Sequence, residues 1–446
     1  MGKYTGKRVL VVGLGLSGAS ALRYLAREGA QVVVTDSRPA PVGVDGLKAL
    51  FQNAEFRLGG FDAPEPLNQF VEAVVSPGVD LRDPFIQTLR AAGLPIIGDI
   101  ELFARAAKAP VIGITGSNGK STVTTLVGEM AKAAGIKVAV GGNLGTPALD
   151  LLPEDPRLYV LELSSFQLDT THTLRCKAAT VLNISEDHLD RHGTMAAYCA
   201  AKARIFNGCE VAVINRDDAA TRLGSDQARR KLSFGLDVPR APGEFGLAEL
   251  RGEVALASAR DRLLPIQQLK IAGLHNAANA LAALALIEAA DLPRAAALKA
   301  LTEFRGLPHR CLLVSQIAGA SYYNDSKGTN VGSTLAAIRG LPAPVVWLGG
   351  GQGKGQDFSP LAAALAEKGA AAVLFGEDAG LIEAAIFGSV PVYREATMHA
   401  ALQRAHSLAL PGTSVLLSPA CASFDQFKSY VDRGEQFEAA VKALAP

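Results

Sequence analysis

No charge of either sign dominates this chain. Its 44 Lys and Arg stand against 43 Asp and Glu, a formal charge of +1. That balance gives no footing for nucleic-acid binding or for an anionic membrane surface. No stretch reaches the roughly eighteen apolar residues that a membrane-spanning helix needs, so no membrane insertion is expected. The five cysteines (Cys176, Cys199, Cys209, Cys311, Cys421) are scattered, odd in number and form no C-x-x-C. This argues against a disulfide framework and for a reduced, cytoplasmic setting. Short-period repeats and low-complexity tracts are missing too, so nothing suggests an array of small units.

What is present points to a large α/β protein. At 446 residues the chain exceeds one usual core, and 45 glycines with 49% hydrophobic residues suit many strand–helix turns. Lys7-Arg8 before the apolar Val9–Leu16 imitates a signal peptide. A buried strand entering a glycine turn explains it better, because Gln31–Asp36 supplies the next strand. Strands and amphipathic helices alternate over residues 1–98, restart at Val111, and restart again near Ser321. Between residues 225 and 270 short runs with Pro239, Pro242, Gly243 and Gly252 suggest a small β-rich insert. We expect three domains, at 1–98, 99–305 and 306–446. The first and last are Rossmann-like, and the central one is a mononucleotide-binding α/β unit with the insert.

The sharpest motif is Thr115-Gly116-Ser117-Asn118-Gly119-Lys120-Ser121-Thr122, between the apolar Val111-Ile112 and a helix-like Val123–Ala134. Backbone N–H groups of such a loop wrap phosphate oxygens, and the helix N-terminus adds positive potential. Lys120 offers a cation to the β/γ-phosphates and Ser121 a hydroxyl to Mg²⁺. The spacing departs from the standard pattern, whose first glycine is Ile114 here. An ordinary Gly-rich turn explains the Lys-Ser pair less well.

Downstream, Glu162 lies in the apolar strand Leu158–Leu163, where a carboxylate is costly unless paired or metal-bound. Mg²⁺ or a structural salt bridge would each satisfy it. A polar cluster, Asn183 to His192, follows the strand Ala179–Leu182. His188 there is a metal ligand or a hydrogen-bonded structural residue. Lys202 sits among apolar neighbours in Tyr198–Ala203, where a snorkelling side chain is the bland expectation.

In the first unit Gly13-Leu14-Gly15-Leu16-Ser17-Gly18 follows a strand, and Asp36 ends the next. That places a nucleotide or diphosphate at the turn, with NAD one option and a purely structural turn another. Ser17, Asp36-Ser37-Arg38 and Ser76-Pro77-Gly78 fall at the same sheet edge. In the third unit, Tyr323–Asn330 puts Asp325, Lys327 and Thr329 in one turn. Leu348–Gly355 resembles a second phosphate loop without a hydroxyl after Lys354, leaving that lysine a point charge. Asn276 and Asn279 in Gly273–Asn279 could read a purine edge. Cys421 has neither a partner His nor ligand spacing, so it is not taken as a nucleophile.

Together these motifs resemble the Mur ligase family, the ATP-dependent amide ligases of peptidoglycan precursor assembly. The likeness rests on Gly116–Thr122, Glu162–Leu168, Asn183–His188, His275–Asn279 and Asn324–Lys327, and it runs over nearly the whole chain. The Gly13–Gly18 turn and Ser418–Phe427 resemble the D-glutamate-adding branch. The Asp-Asn-Pro-Arg run of the diamino-acid-adding branch is absent. The resemblance implies UDP-N-acetylmuramoyl-L-alanine, D-glutamate and ATP as substrates, two Mg²⁺ ions, and a monomer. It implies that Gly116, Ser117, Asn118, Gly119, Lys120, Ser121, Thr122, Asn276, Asn279, Arg310 and Asp325 hold ATP. Ser121 and Glu162 would hold one metal, and His188 with a carbamylated Lys202 the other. Lys120, Glu162, His188 and Lys202 are the implied catalytic set. Leu16, Ser17, Ser37, Arg38, Gly78 and Asn143 would hold the UDP-muramoyl part. Lys327, Thr329, Lys354, Ser423 and Phe424 would take D-glutamate, with Tyr430 at an aromatic position. A folate-polyglutamate-adding relative shares the chemistry but lacks such a first domain. An NAD-dependent oxidoreductase leaves the second and third units unexplained, and the Lys120, Glu162 and His188 set disfavours a non-catalytic nucleotide-binding regulator.

Overall fold

The computed structural model describes residues 2–444, which form three sheets in chain order. Arg8–Val12 is apolar and buried in all but its first residue, as a central parallel strand requires. It is flanked on one side by Gln31–Asp36 and then Glu55–Leu58, and on the other by Phe70–Val75 and Ile96–Ile97, all parallel. The signal-like start is therefore a core strand. The strand order reverses at Arg8–Val12, which brings the Gly13–Gly18 turn beside Ser76. A Cβ on Gly18 would fall 1.8 Å from the Gly13 carbonyl oxygen, so this turn closes only with glycine there.

The central sheet has nine strands. Val138–Gly142, Leu158–Glu162, Val111–Thr115, Ala178–Val181, Val211–Asn215, Arg230–Phe234 and Glu244–Leu250 run parallel, in that spatial order. Glu253–Ser258 and Arg262–Pro265 add an antiparallel edge. The expected β insert continues the central sheet along this edge. Its middle is covered on both faces, with Ala255, Leu256 and Ala257 successively buried, and the local pattern says nothing of the edge to which it pairs. The helix Leu274–Ala289 is alanine-rich and almost wholly buried, and it packs with Lys120–Ala133 against this sheet.

The third sheet runs Leu312–Ile317, Ala320–Asn324, Ser414–Leu417, Val345–Gly350, Gly369–Phe375 and Val392–Arg394. Only its first strand is antiparallel. The first two sheets share one core through the helix Asp99–Ala106: Leu102 and Phe103 pack with Val9 and Leu22 on one side and Leu149 and Leu161 on the other.

Candidate functional site

The strand Val111–Thr115 delivers the phosphate loop to the helix Lys120–Ala133. Gly119 is left-handed (φ +82°), and a Cβ there would lie 2.5 Å from Asn279 Oδ1. The loop is braced from behind. Asn183 mimics a peptide: its Nδ2 donates to the Asn118 carbonyl (3.0 Å) while its Oδ1 accepts the Asn118 N–H (2.8 Å). Ser117 Oγ donates to the Ser185 carbonyl, accepts the Ser185 N–H, and lies 3.0 Å from the Tyr198 hydroxyl. Lys120 Nζ folds onto its own loop, donating to the carbonyls of Gly116 (2.8 Å) and Ser117 (2.7 Å). Burial lowers its pKa, against the pull of Glu162 and Asp187.

Glu162 ends a buried strand with both oxygens engaged. Oε2 accepts from Ser121 Oγ (2.6 Å) and Oε1 from Asn143 Nδ2 (2.7 Å). Arg310, from beyond the central sheet, donates to the same Ser121 hydroxyl at 2.6 Å. Lys202 does not snorkel. Its buried Nζ turns inward, donates to the Gly116 carbonyl (2.9 Å) and sits 4.5 Å from the Tyr198 ring centroid. Burial first, and then Lys120, push this amine well below the ordinary lysine range. His188 adopts φ +55° and meets Phe166 edge-on at 4.9 Å. Burial lowers its pKa, aided by Lys120, Lys202 and Lys354, so a neutral imidazole is favoured.

Two cavities open beside this cluster. The larger, about 540 Å³, is lined by Leu16, Ser17, Ser37, Arg38, Gly78 and Asn143, all expected together from sequence, and also by Gln167. Asp36 lines it too, but its carboxylate is held by the Leu14 N–H and by Arg38. The smaller, about 160 Å³, gathers Asn118, Gly119, Thr122, Asn276, Asn279, Arg310, Asp325 and Lys327.

Three turns of the third sheet converge nearby. Gln352 and Ala422 exchange backbone hydrogen bonds, joining the Lys354 loop to the Ser423 turn. Arg433, fully buried, donates to Ser326 and to the carbonyls of Cys421 and Ala422, tying in the Lys327 turn. Burial brings Lys327 down to about 8, and its Nζ lies 3.8 Å from the Tyr430 ring centroid. Asp325 is buried, which raises it to about 7 despite a hydrogen bond from Ser418. Ser423 is buried, Thr329 half-buried, and Lys354 and Phe424 are exposed. Cys421 is buried with its thiol pushed up to about 12, in keeping with no nucleophilic role.

Family models match three successive stretches: the N-terminal domain of the MurD-like Mur ligases over residues 7–98, the Mur ligase middle domain over 114–287, and the Mur ligase glutamate ligase domain over 309–421. The chain belongs to the Mur ligase family. It is 54% identical over 440 residues to the UDP-N-acetylmuramoylalanine--D-glutamate ligase of Pseudomonas aeruginosa, covering 98% of each chain. It is 52% identical over 438 residues to the protein of the same name from Nitrosococcus oceani, covering 98% of this chain and 96% of that one. Among solved structures, the UDP-N-acetylmuramate-alanine ligase of Thermotoga maritima has the same fold, with a TM-score of 0.60, 19% identity and coverage of 98% and 99%.

In this Mur ligase several residues around the site escaped the sequence reading. In the sequence Asn183 and Ser185 belong to a polar cluster, and nothing in their spacing shows that they brace the phosphate loop. Arg433 lies in an ordinary charged helix, Tyr430–Ala443, and only packing reveals that it faces inward.

Proposed function

We propose that this Mur ligase joins D-glutamate to UDP-N-acetylmuramoyl-L-alanine, using ATP, as a cytoplasmic monomer in peptidoglycan precursor synthesis. The full-length likeness to ligases of that name supports the reaction. One geometric relay carries the reading. Asn143 lines the larger cavity and binds Glu162, Glu162 binds Ser121 of the phosphate loop, and Ser121 binds Arg310 of the smaller cavity. A carboxylate entering from one cavity and a phosphate held in the other would meet at this relay. The proposed domains are 1–98 for the UDP substrate, 99–305 for ATP and 306–446 for the amino acid.

The L-alanyl carboxylate oxygen attacks the γ-phosphorus of ATP, and the bond to the bridging oxygen breaks to release ADP. The amine of D-glutamate then attacks the acyl phosphate carbon and loses its proton, and phosphate leaves from the tetrahedral intermediate. Both steps bring anions together, so fixed positive charge decides the rate. Lys120 and the amides of Gly116–Thr122 hold the β/γ-phosphates, and Asn276, Asn279, Arg310 and Asp325 also contact ATP. Leu16, Ser17, Ser37, Arg38, Gly78 and Asn143 hold the UDP-muramoyl part. Lys327, Thr329, Lys354, Ser423 and Phe424 line the D-glutamate site, the lysines and hydroxyls facing its carboxylates.

The donor set suits Mg²⁺. Ser121 and Glu162 present hydroxyl and carboxylate oxygens 2.6 Å apart, in a position where a hard cation finds oxygen ligands. Among the described residues no three His, Cys, Asp or Glu gather as a metal group. By the family resemblance, a second ion would draw on His188 together with Lys202 as its carbamate. When bound, Mg²⁺ neutralises phosphate charge and polarises the phosphoryl oxygens.

The rival NAD reading is separable on the full chain. Titration with UDP-N-acetylmuramoyl-L-alanine should saturate and NADH should not. Saturable NADH binding without a response to the sugar nucleotide would favour an oxidoreductase.

A further inference from the structure

The wall of the larger cavity includes five consecutive residues, Ser76 to Asp80, at the carboxyl end of the strand Phe70–Val75. This loop is held by a residue of the central unit to which no role has yet been given. Arg191 lies in the short helix Leu189–His192, directly after His188. Its Nη2 donates to the carbonyls of Val79 (2.9 Å) and Pro77 (3.4 Å), and Nη1 reaches the Gly78 carbonyl at 3.5 Å. The Asp80 carboxylate lies 3.5 Å from its Nε. Its guanidinium carbon stacks 4.4 Å from the centroid of Phe166, the ring that also packs on His188 and His192. The link is made in both directions, because Arg82, just past the loop, donates to the Asp190 carbonyl at 2.7 Å.

The Arg191 side chain is only 21% exposed, so its hydrogen-bonding groups rely on these partners rather than on water. Three successive carbonyls at these spread positions suit a planar fork with several fixed donors. A lysine ammonium is a point donor and does not match that pattern. The same guanidinium face is locked by the aromatic ring beneath it. Arg191 thereby couples the cavity wall to the segment that carries His188.

We propose that Arg191 is a positioning residue that fixes the Ser76–Asp80 loop for the sugar nucleotide and aligns it with His188. The inference rests on reading the larger cavity as the UDP-muramoyl pocket. Steady-state kinetics on the full-length Arg191→Ala and Arg191→Lys variants test it, alongside thermal melting. Arg191→Ala should raise the KM for UDP-N-acetylmuramoyl-L-alanine by roughly tenfold or more, the scale of a lost charged hydrogen bond, and move the ATP KM by less than about twofold. Arg191→Lys should restore only part of the loss. A general destabilisation would move all three KM values together, or kcat alone, and that result overturns the proposal. If Arg191→Ala fails to fold, Arg191→Lys decides: a folded lysine variant with the wild-type sugar-nucleotide KM overturns it. Should the wild-type enzyme itself not use this substrate, the functional reading fails rather than the role of Arg191.

Discussion

Ser121 donates its hydroxyl proton to Glu162 across 2.6 Å, joining the first turn of the phosphate-loop helix to the end of the strand Leu158–Glu162. Two elements that each end in a glycine-rich or polar turn are thus pinned at their reactive ends. The carboxylate is buried, yet among the described residues no basic side chain is its direct partner, and the Ser121 hydroxyl and the Asn143 amide hold it. Such a group is an expensive structural choice and a natural cation ligand. Glu162→Gln keeps the shape and removes the charge. It should cut turnover by roughly a hundredfold or more, the scale seen when one preorganised electrostatic contact is lost, while melting near the wild-type temperature. Near-normal turnover at saturating substrates would remove Glu162 from the chemistry.

Lys202 should carry a carbamate in the working enzyme. Burial favours the neutral amine, the form that attacks CO₂, and the product is an anion with two oxygen ligands. The amine now bonded to the Gly116 carbonyl must leave it to do so. Lys202→Ala should be nearly inactive and should regain part of its turnover with acetate, a short carboxylate able to fill the space. A fully active Lys202→Ala, or a mass spectrum and activity both indifferent to bicarbonate, would count against the modification.

Much of this was legible because phosphate chemistry leaves dense local patterns. The loop Gly116–Thr122, Glu162 within an apolar run, and the Gly13–Gly18 turn each announce themselves by residue type and spacing. Six residues from four separated segments, Leu16 to Asn143, line one cavity. Strands with weak patterns did not show. Glu55–Leu58 is a half-exposed edge, Val138–Gly142 ends in two glycines, and Leu312–Ile317 is largely solvated. The inward turn of Lys202 and the bracing by Asn183 and Arg433 depend on packing between elements distant in sequence, which local pattern does not encode.

Asp325 gives the stability a pH slope of its own. Its folded pKa is raised to about 7, from an ordinary value near 3.8, chiefly by burial. Between those values the folded state keeps a proton that the unfolded chain releases. This group's contribution therefore falls as pH rises from about 4 to about 7 and then levels off. Asp325→Asn removes the titration. The melting temperature of wild type minus variant should decline from pH 4 to pH 8. A difference that is flat or rises over that range would show that Asp325 is ionised in the folded protein.

The central claim is that one site activates the alanyl carboxylate with ATP and hands it to D-glutamate. Phosphate release by the full chain with ATP and Mg²⁺ measures this directly. The account predicts release only when UDP-N-acetylmuramoyl-L-alanine and D-glutamate are both present, with L-glutamate a poor replacement. Turnover without either substrate, or equal turnover with the two glutamate enantiomers, would contradict it.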